Sequence, residues 1–543
     1  MFGAGGGTSS YREAEETDFI ILWGSNARET HPIFFHHVLR GVRNGAQLIA
    51  VDPRRTSSAE WADVWLGIDV GSDIALANAM AREIIHNDLI DGEFIARATT
   101  GYDEFAQCVE AYTLERAEAE TGVPAKAIQE VALGYARAKT GMICWTLGIT
   151  EHHNAVDNVV ALINLALLTG KVGRYGCGLN PLRGQNNVQG GGDMGAIPAR
   201  MPGFQDLEKP EVHDKFAGAW GGAEFPMKKG WHLSEMFEAM DHGDLHALYI
   251  VGENPARSEA DQTRAVRLLN GLDHLVVQDI FLTQTAELAH VVLPAAAGWA
   301  ESEGTVTNSE RRVQRVRRAL EPPAGARDDI EIICDLAQRL GAEWGQPTAE
   351  QVWDECRSLS PMHAGMKYSR LDELEGIQWP CPDESHPGTP FLHARLWNDP
   401  VEGPRAPFHA VENDPPVDRL TEEFPIRLTT GRRLDSFNTG VQTGEYTSPL
   451  RRGEAILISP EDGRQLGVAD GERVRASSRR GSVEVDVRYD ASLRPGLAFM
   501  TLHFPDQVST NVLTIDATDP KSGTAEFKAS AIRIDKLTAP VAN

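Results

Sequence analysis

Residues 181–195 read Pro-Leu-Arg-Gly-Gln-Asn-Asn-Val-Gln-Gly-Gly-Gly-Asp-Met-Gly, a stretch too rich in glycine and amides for a regular core element. One guanidinium, Arg183, stands among four side-chain amides, including that of Gln185, with glycines that let backbone come close to a ligand. A guanidinium grips a small carboxylate through two parallel hydrogen bonds, which lysine does less well. The chemistry implied is orientation of a small polar ligand; the competing reading is a surface loop with a solvated arginine. Histidines at His31, His36-His37 and His152-His153 invite a metal, but adjacent side chains on a helix diverge and chelate poorly. The cysteines, Cys108, Cys144, Cys177, Cys334, Cys356 and Cys381, are scattered along the chain. No Cys-x-x-Cys clamp for zinc or an iron–sulfur cluster exists, and no metal ligand is assigned. A Gly-x-Ser-x-Gly elbow is also missing.

A duplicated pattern supplies the second constellation. Phe-Ile-Ile-Leu-Trp precedes Gly24 and Asn26, and Leu-Ile-Ala-Val precedes Asp52, Arg54 and Thr56. Ala-Leu-Tyr-Ile-Val precedes Gly252 and Asn254, and Leu-Val-Val-Gln278 precedes Asp279 and Thr283. The spacings from Gly24 to Asp52 and from Gly252 to Asp279 differ by a single position, and threonine follows aspartate at the same offset in both copies. Continuous apolar runs are what strands buried on both faces look like. Each copy therefore reads as strand, turn, helix and parallel strand, with Gly at one strand end and Asp at the next, where α/β sheets bind ribose or bases. Neither Gly-x-Gly-x-x-Gly nor a Walker loop occurs, which argues against ordinary dinucleotide or ATP binding. Two half-sites facing one large ligand is the sharper expectation; a duplicated scaffold with no ligand is the alternative.

The elements that must position these groups follow. Gly71, Ser72 and Asp73 open an amphipathic helix through Met80 and Ile84, and an all-round apolar helix runs from Asn154 to Leu168, stopping at Gly170. Nine prolines among residues 380–416 read as an irregular connector. Asp470-Gly471 and Arg480-Gly481 flank alternating strands at 473–477 and 483–487. The expected fold is α/β: two related parallel-sheet nucleotide-binding domains, at 1–185 and 186–347, then a connector at 348–416 and a β-barrel-like domain at 417–543. The basic run Arg311, Arg312, Arg315, Arg317 and Arg318 reads as a solvated or carboxylate-paired face. With 543 residues, 41% hydrophobic, the chain can bury several cores. Its net charge of −26 excludes nucleic acid as a main partner, and no apolar run approaches a membrane span, so a cytoplasmic protein without membrane insertion is expected.

Gly24-Ser25-Asn26-Ala27-Arg28-Glu29-Thr30-His31-Pro32, Asp52-Pro53-Arg54 and residues 182–195 resemble the catalytic subunits of molybdopterin-dependent formate dehydrogenases. Gly252-Glu253-Asn254-Pro255, Gln278-Asp279-Ile280-Phe281, Thr430-Gly431-Arg432, Asn511 and residues 520–528 share the resemblance, which spans essentially the whole chain. It implies two molybdopterin guanine dinucleotides around one molybdenum or tungsten, which would account for the repeat. Gly24, Asn26, Glu29, Thr30, Asp52, Arg54, Gly71 and Asp73 would serve one dinucleotide; Gly252, Asn254, Gln278, Asp279 and Thr283 the other. Thr430, Arg432, Asn511 and Lys528 would close over them, with Gln185 beside them and Arg183 orienting formate for two-electron oxidation to carbon dioxide.

The family also implies a four-cysteine [4Fe–4S] segment and a Cys or selenocysteine metal ligand followed by His, and this sequence contains neither. One expectation is that the chain is the larger part of a catalytic subunit whose amino-terminal part is missing or separately encoded. The other is a non-catalytic scaffold or electron-transfer paralogue. An iron–sulfur or diaphorase subunit is the expected electron-transfer partner.

Overall fold

The apolar runs ending at Gly24 and Asp52 lie side by side as parallel strands in the computed structural model, which describes residues 2–434, 436, 438–439 and 453–537. They are β1 (Phe19–Trp23) and β2 (Gln47–Val51), joined by β3 (Val64–Leu66), β4 (Met142–Trp145) and β5 (Gly178–Pro181). The sheet order is β3-β2-β1-β4-β5, all parallel, so the chain reverses direction across the sheet between β1 and β4. Such a switch point opens a crevice at the strands' carboxyl ends. Both faces are covered, as parallel sheets require. Ile20, Leu22 and Leu48 share a core with helix Pro32–Arg43. Phe19, Ile21, Trp23 and Val51 share another with helices Asp73–His86, Ala125–Arg137 and Ala155–Leu168.

The second copy forms β6 (Ala247–Val251), β7 (His274–Asp279) and β8 (Val291–Pro294), parallel in the order β8-β7-β6. Its duplication extends to individual hydrogen bonds. The Gly24 amide donates to the Val51 carbonyl at 2.8 Å and the Gly252 amide to that of Gln278 at 2.8 Å. Thr56 Oγ1 accepts from the Ala59 amide at 3.3 Å, and Thr283 Oγ1 from Ala286 at 3.1 Å. Equal spacing in sequence has become equal turn geometry.

An antiparallel sheet of β9 (Gly304–Thr307), β10 (Arg312–Val316) and β11 (Ile377–Gln378) follows. The arginine run lies along it: Arg312 pairs with Glu310, Arg315 with Glu303 and Asp372, and Arg318 with Glu321. Arg311 departs from the solvated reading. It is fully buried and donates to the carbonyls of Gly7, Thr389 and Pro390.

Residues 348–416 are more ordered than an irregular connector. They contain helices Ala349–Leu359 and Tyr368–Glu373, and their proline-rich end lies in the first unit's core. Phe408 stacks on Phe105 with ring centroids 5.0 Å apart. Asn78 and Asn164 donate to the carbonyls of Val411 and His409, both at 2.8 Å. Prolines hold this backbone extended, and buried amides take carbonyls that no neighbouring strand would satisfy.

The last domain is a closed barrel of β12 (Ile426–Gly431), β13 (Ile456–Ile458), β14 (Arg473–Ser477), β15 (Ser482–Tyr489), β16 (Leu497–Thr501) and β17 (Ser530–Lys536), in the order β12-β16-β13-β15-β14-β17. Period-two alternation builds it: Val474 and Ala476 point into the core, while Arg475 on the outer face meets Glu484 across the strands at 3.0 Å.

Candidate functional site

The ends of β1 and β2, the ends of β6 and β7, and the rim of the barrel enclose one cleft of about 1260 Å³. Gly24, Asn26, Thr30, Asp52, Arg54, Gly71 and Asp73 line it from the first unit, and Gly252, Asn254, Gln278, Asp279 and Thr283 from the second. Gln185 lies between them, and Thr430, Arg432 and Lys528 come from the barrel. Three parts of the chain that are remote in sequence thus meet around one space.

Within each half-site the side chains divide into braces and open groups. Asn26 Oδ1 accepts from the Ser58 amide at 3.2 Å and its hydroxyl at 2.9 Å; Asn254 Oδ1 accepts from the Thr285 amide at 3.2 Å and its hydroxyl at 2.8 Å. Both asparagines lock the turn after one strand to the turn after its neighbour. Asp52 Oδ1 accepts from the Arg54 amide at 2.9 Å, and Asp279 Oδ1 from Phe281 at 3.1 Å. The Asp279 carboxylate also takes the Ile280 amide, whereas the Arg54 amide is the one backbone donor to Asp52 among the described residues. Burial raises both carboxyls, and Arg54 and Lys528 draw Asp52 back down.

The first half-site is bordered by cations. The Arg54 guanidinium stacks 3.5 Å above the ring of Phe499, from β16. Lys528 Nζ lies 2.7 Å from Glu151 and donates to the Thr430 carbonyl at 3.1 Å. Arg432 donates to the Ser436 carbonyl, and Thr430 Oγ1 to that of Phe527. Glu29 stands at the seam, accepting from Ser57 Oγ at 2.8 Å and from the Leu434 amide at 3.1 Å.

The second half-site is acidic. Burial raises Glu253, and Glu259 behind it is pushed up to about 7 by burial and by Glu253. Asp73 accepts from Trp23 Nε1 at 2.8 Å; its counterpart Asp329 accepts from the amide nitrogen of Gln278, whose amide oxygen accepts from the Tyr249 hydroxyl. Glu253, Glu259 and Asp329 were not among the sequence expectations. The repeat concealed Asp329, because the β9–β10 hairpin is inserted between it and the strand-end Asp279, whereas only a short helical turn (Ala59–Trp61) and β3 separate Asp73 from Asp52.

Other predicted residues brace the structure. Thr283 caps helix Gln284–Glu287. Asn511 lies outside the cleft, donating to the carbonyls of Arg257 and Ser258 at 3.0 and 3.2 Å, and so ties the barrel to the second unit. Gly71 packs against the ring of Pro416. Replacing Thr283 by Ala removes a cap and costs about 1 kcal/mol of stability. Urea denaturation measures that loss, while ligand affinity per folded molecule stays unchanged.

Arg183 borders a neighbouring cavity of about 360 Å³ that shares Thr146, Leu147, Leu182, Gly184, Gln185 and Val188 with the large cleft. Its backbone is clamped from both units: Ser309 Oγ accepts from its amide at 2.8 Å, and its carbonyl accepts from His31 Nε2 at 2.6 Å. Thr30 hydrogen-bonds the other ring nitrogen of His31 at 2.7 Å. The side chain uses two donors, Nε to Gln189 at 3.2 Å and Nη2 to the Gly5 carbonyl at 3.0 Å. Of the five N–H groups of a guanidinium, three then remain for a ligand. The Gly-rich stretch carries a short helix, Val188–Asp193, rather than an open loop. Gln189 and Trp379 hold the buried Asp193, whose carboxyl burial pushes up to about 6.

The paired histidines join the first unit to the barrel. His152 and His153 face the fully buried Glu526 at 3.4 and 3.1 Å, and the other nitrogen of His153 meets Asp414 at 3.1 Å. Burial alone would raise Glu526, but hydrogen bonds from the histidines outweigh it and bring the carboxyl from 4.5 to about 2. The bond to Glu526 raises His153 above 6.5, against burial. The glutamate's contribution is present above pH 4.5 and fades as pH falls toward 2; that of His153 is complete below 6.5 and fades as pH rises through its raised pKa. Glu526→Gln should therefore lower the melting temperature most between about pH 4.5 and 6.5. A difference that does not change from pH 4 to 9 would contradict this. Among the described residues, no group of three His, Cys, Asp or Glu side chains could hold a metal ion, and the six cysteines are all free.

Comparison with known proteins places this geometry. Residues 4–339 match the molybdopterin oxidoreductase family, and residues 426–531 match a molydopterin dinucleotide binding domain. The chain is 41% identical over 540 residues to F420-dependent formate dehydrogenase 2 subunit alpha of Methanococcus maripaludis, covering 99% of this chain and 79% of that one. It is 36% identical to formate dehydrogenase H of Escherichia coli (98% and 75%) and 34% identical to the assimilatory nitrate reductase catalytic subunit of Bacillus subtilis (98% and 76%). Acetylene hydratase from Pelobacter acetylenicus has the same fold, with a TM-score of 0.73 at 20% identity over 98% of this chain and 79% of that structure. With the matched family spanning both α/β units and the dinucleotide-binding domain coinciding with the barrel, the chain belongs to the molybdopterin oxidoreductase family of enzymes.

Proposed function

We propose that this chain binds two molybdopterin guanine dinucleotides in the cleft and takes part in the two-electron oxidation of formate to carbon dioxide. The observation that carries the reading is the clamped Arg183, with three free N–H groups, lining the small cavity whose Leu182, Gly184 and Gln185 also line the large cleft. The residues fit the dinucleotides. At about 1260 Å³ the cleft exceeds the roughly 1000 Å³ upper range of an ordinary small-molecule pocket. Each half-site offers a carboxylate oxygen to the donors of a base or ribose, and the barrel rim supplies cations for phosphate. Gly252 has no atom within 4 Å of the place a side chain would take.

The bound cofactor, with molybdenum or tungsten, would accept two electrons. The protein's own part is to hold formate by Arg183 as its C–H bond breaks, one proton and two electrons leave, and carbon dioxide departs. The described residues do not fit a [4Fe–4S] cluster or a metal-ligand set, and no step is assigned to either. The naming of relatives as alpha subunits supports a companion electron-transfer subunit, iron–sulfur or diaphorase. No helix among the described residues is long and apolar enough to cross a membrane. The location that goes with this reading is the cytoplasm.

A scaffold without chemistry would need neither the clamp on Arg183 nor the two strand-end carboxylates. Elemental analysis of protein from its native cells, with dye reduction by formate, tests the reading. Stoichiometric molybdenum or tungsten and formate-dependent turnover are expected. Metal-free protein would favour the scaffold, and turnover with nitrate but not formate would place the substrate with the nitrate reductase relative.

A further inference from the structure

Both acceptors of the Arg183 side chain lead back to one buried residue. Gln189 and Asp193 stand four apart on helix Val188–Asp193 and so share a face. Gln189 Oε1 accepts from Arg183 Nε at 3.2 Å, while its Nε2 donates to Asp193 Oδ1 at 2.8 Å and to the Gly5 carbonyl at 3.1 Å. Trp379 Nε1 donates to the other oxygen, Asp193 Oδ2, at 2.7 Å. The Asp193 carbonyl accepts from the amides of Gly203 and Phe204 at 2.7 and 3.1 Å. The Phe204 ring in turn packs on Gly5, where a Cβ would stand 3.0 Å from it. Gly5 is the second acceptor of Arg183, so the aspartate supports the guanidinium along two routes.

Local structure gives no reason for a carboxylate here. Asp193 is 1% exposed and ends a helix, where the dipole disfavours an anion. Strained backbone gathers around it. Asn187, which opens the helix, has φ 64°, Phe204 has φ 56°, and Arg311, whose guanidinium lies 5.3 Å from the Trp379 ring centroid, has φ 67°. Such conformations in non-glycine residues persist only where the surroundings over-determine them, and they cluster at functional sites. The charged groups facing Asp193 are Arg183 on one side and Arg311 on the other, with Glu13 and Glu310 behind Arg311.

We propose that Asp193 is a positioning residue for Arg183, acting through Gln189; the proposal rests on the formate reading above. An ionised carboxylate accepts hydrogen bonds and cannot donate them. Gln189 must therefore turn its NH2 group to Asp193, which leaves its oxygen for Arg183 Nε and holds the remaining guanidinium donors in one orientation. A protonated Asp193 can donate. The Gln189 amide is then free to flip and set its NH2 against Arg183 Nε, donor against donor, and the fork loses its fixed direction. Burial pushes the Asp193 carboxyl up to about 6, against the pull of Gln189, Trp379, Arg183 and Arg311. Formate stays ionised on both sides of that point, so the protein's own group sets the pH at which the grip weakens.

The test has two readouts. In the metal-loaded assembly, KM for formate should rise roughly tenfold as pH falls from about 7.5 to about 5, with kcat changing much less. Asp193→Asn should have the raised KM at the higher pH and no step near pH 6. Gln189→Ala should behave alike, and the double variant should be no worse than either, because both cut one link. A purely structural Asp193 would give additive losses and leave the step in place, and a KM that stays flat or falls as Asp193 takes its proton would overturn the proposal. The second readout needs no turnover. In the 543-residue chain labelled with [15N]arginine, the Arg183 Nε resonance, assigned through Arg183→Lys, should move through a step near pH 6 that Asp193→Asn abolishes. An Nε resonance without that step would reject the positioning role. An assembly that shows the step but no formate turnover would reject the formate reading and keep the link between Asp193 and Arg183.

Discussion

Substituting Arg183 by Ala in the metal-loaded assembly should lower kcat/KM for formate by roughly several hundredfold, chiefly through a higher KM. The guanidinium has two N–H groups engaged, with Gln189 and Gly5, and its remaining donors are free for a carboxylate. Hydrogen bonds to a charged partner contribute about 1.5–3 kcal/mol each, so losing a bidentate pair removes about 3–4 kcal/mol, or on the order of 10²–10³ in rate. Arg183→Lys keeps the charge but not the fork and should fall between. A structural contribution is separable, because the backbone is held independently by Ser309 and His31. If the missing group alone is responsible, added guanidinium ion restores part of the activity. Unchanged formate kinetics in Arg183→Ala would remove the residue from substrate binding.

What was legible in the sequence follows from how local each signal is. The two half-sites could be read because glycine, asparagine, aspartate and threonine recur at nearly fixed offsets, and each offset corresponds to a turn closed within a single strand–helix–strand unit. Period-two alternation likewise marked the barrel strands. The function of individual side chains was less legible, because the residue types that touch a nucleotide also brace a turn: Asn26, Asn254 and Thr283 line the cleft, yet their side-chain oxygens are already engaged. Asn511 shares the resemblance yet lies between domains. The His152–His153–Glu526 junction joins segments from opposite ends of the chain, and nothing in either local sequence announces the other. The proline-rich stretch showed where regular structure would thin out, but not that Phe408 and Val411 would enter the first core. Asp329 was lost to an insertion that moved it out of register.

Gly24→Ala and Gly252→Ala should differ sharply, although the two glycines occupy the same place in the repeat. Both have positive φ, 56° and 65°, so an L-residue pays about 1–2 kcal/mol at either position. Gly24 carries a second cost, because its new methyl would stand 2.8 Å from the Gly148 backbone, and backbone cannot swing aside as a side chain does. Overpacking of this kind costs about 1–3 kcal/mol, so Gly24→Ala should lose about 2–5 kcal/mol, a large fraction of a domain's stability. In thermal denaturation and soluble yield Gly24→Ala should be far the worse. Equal penalties would mean that the Gly24–Gly148 approach relaxes freely.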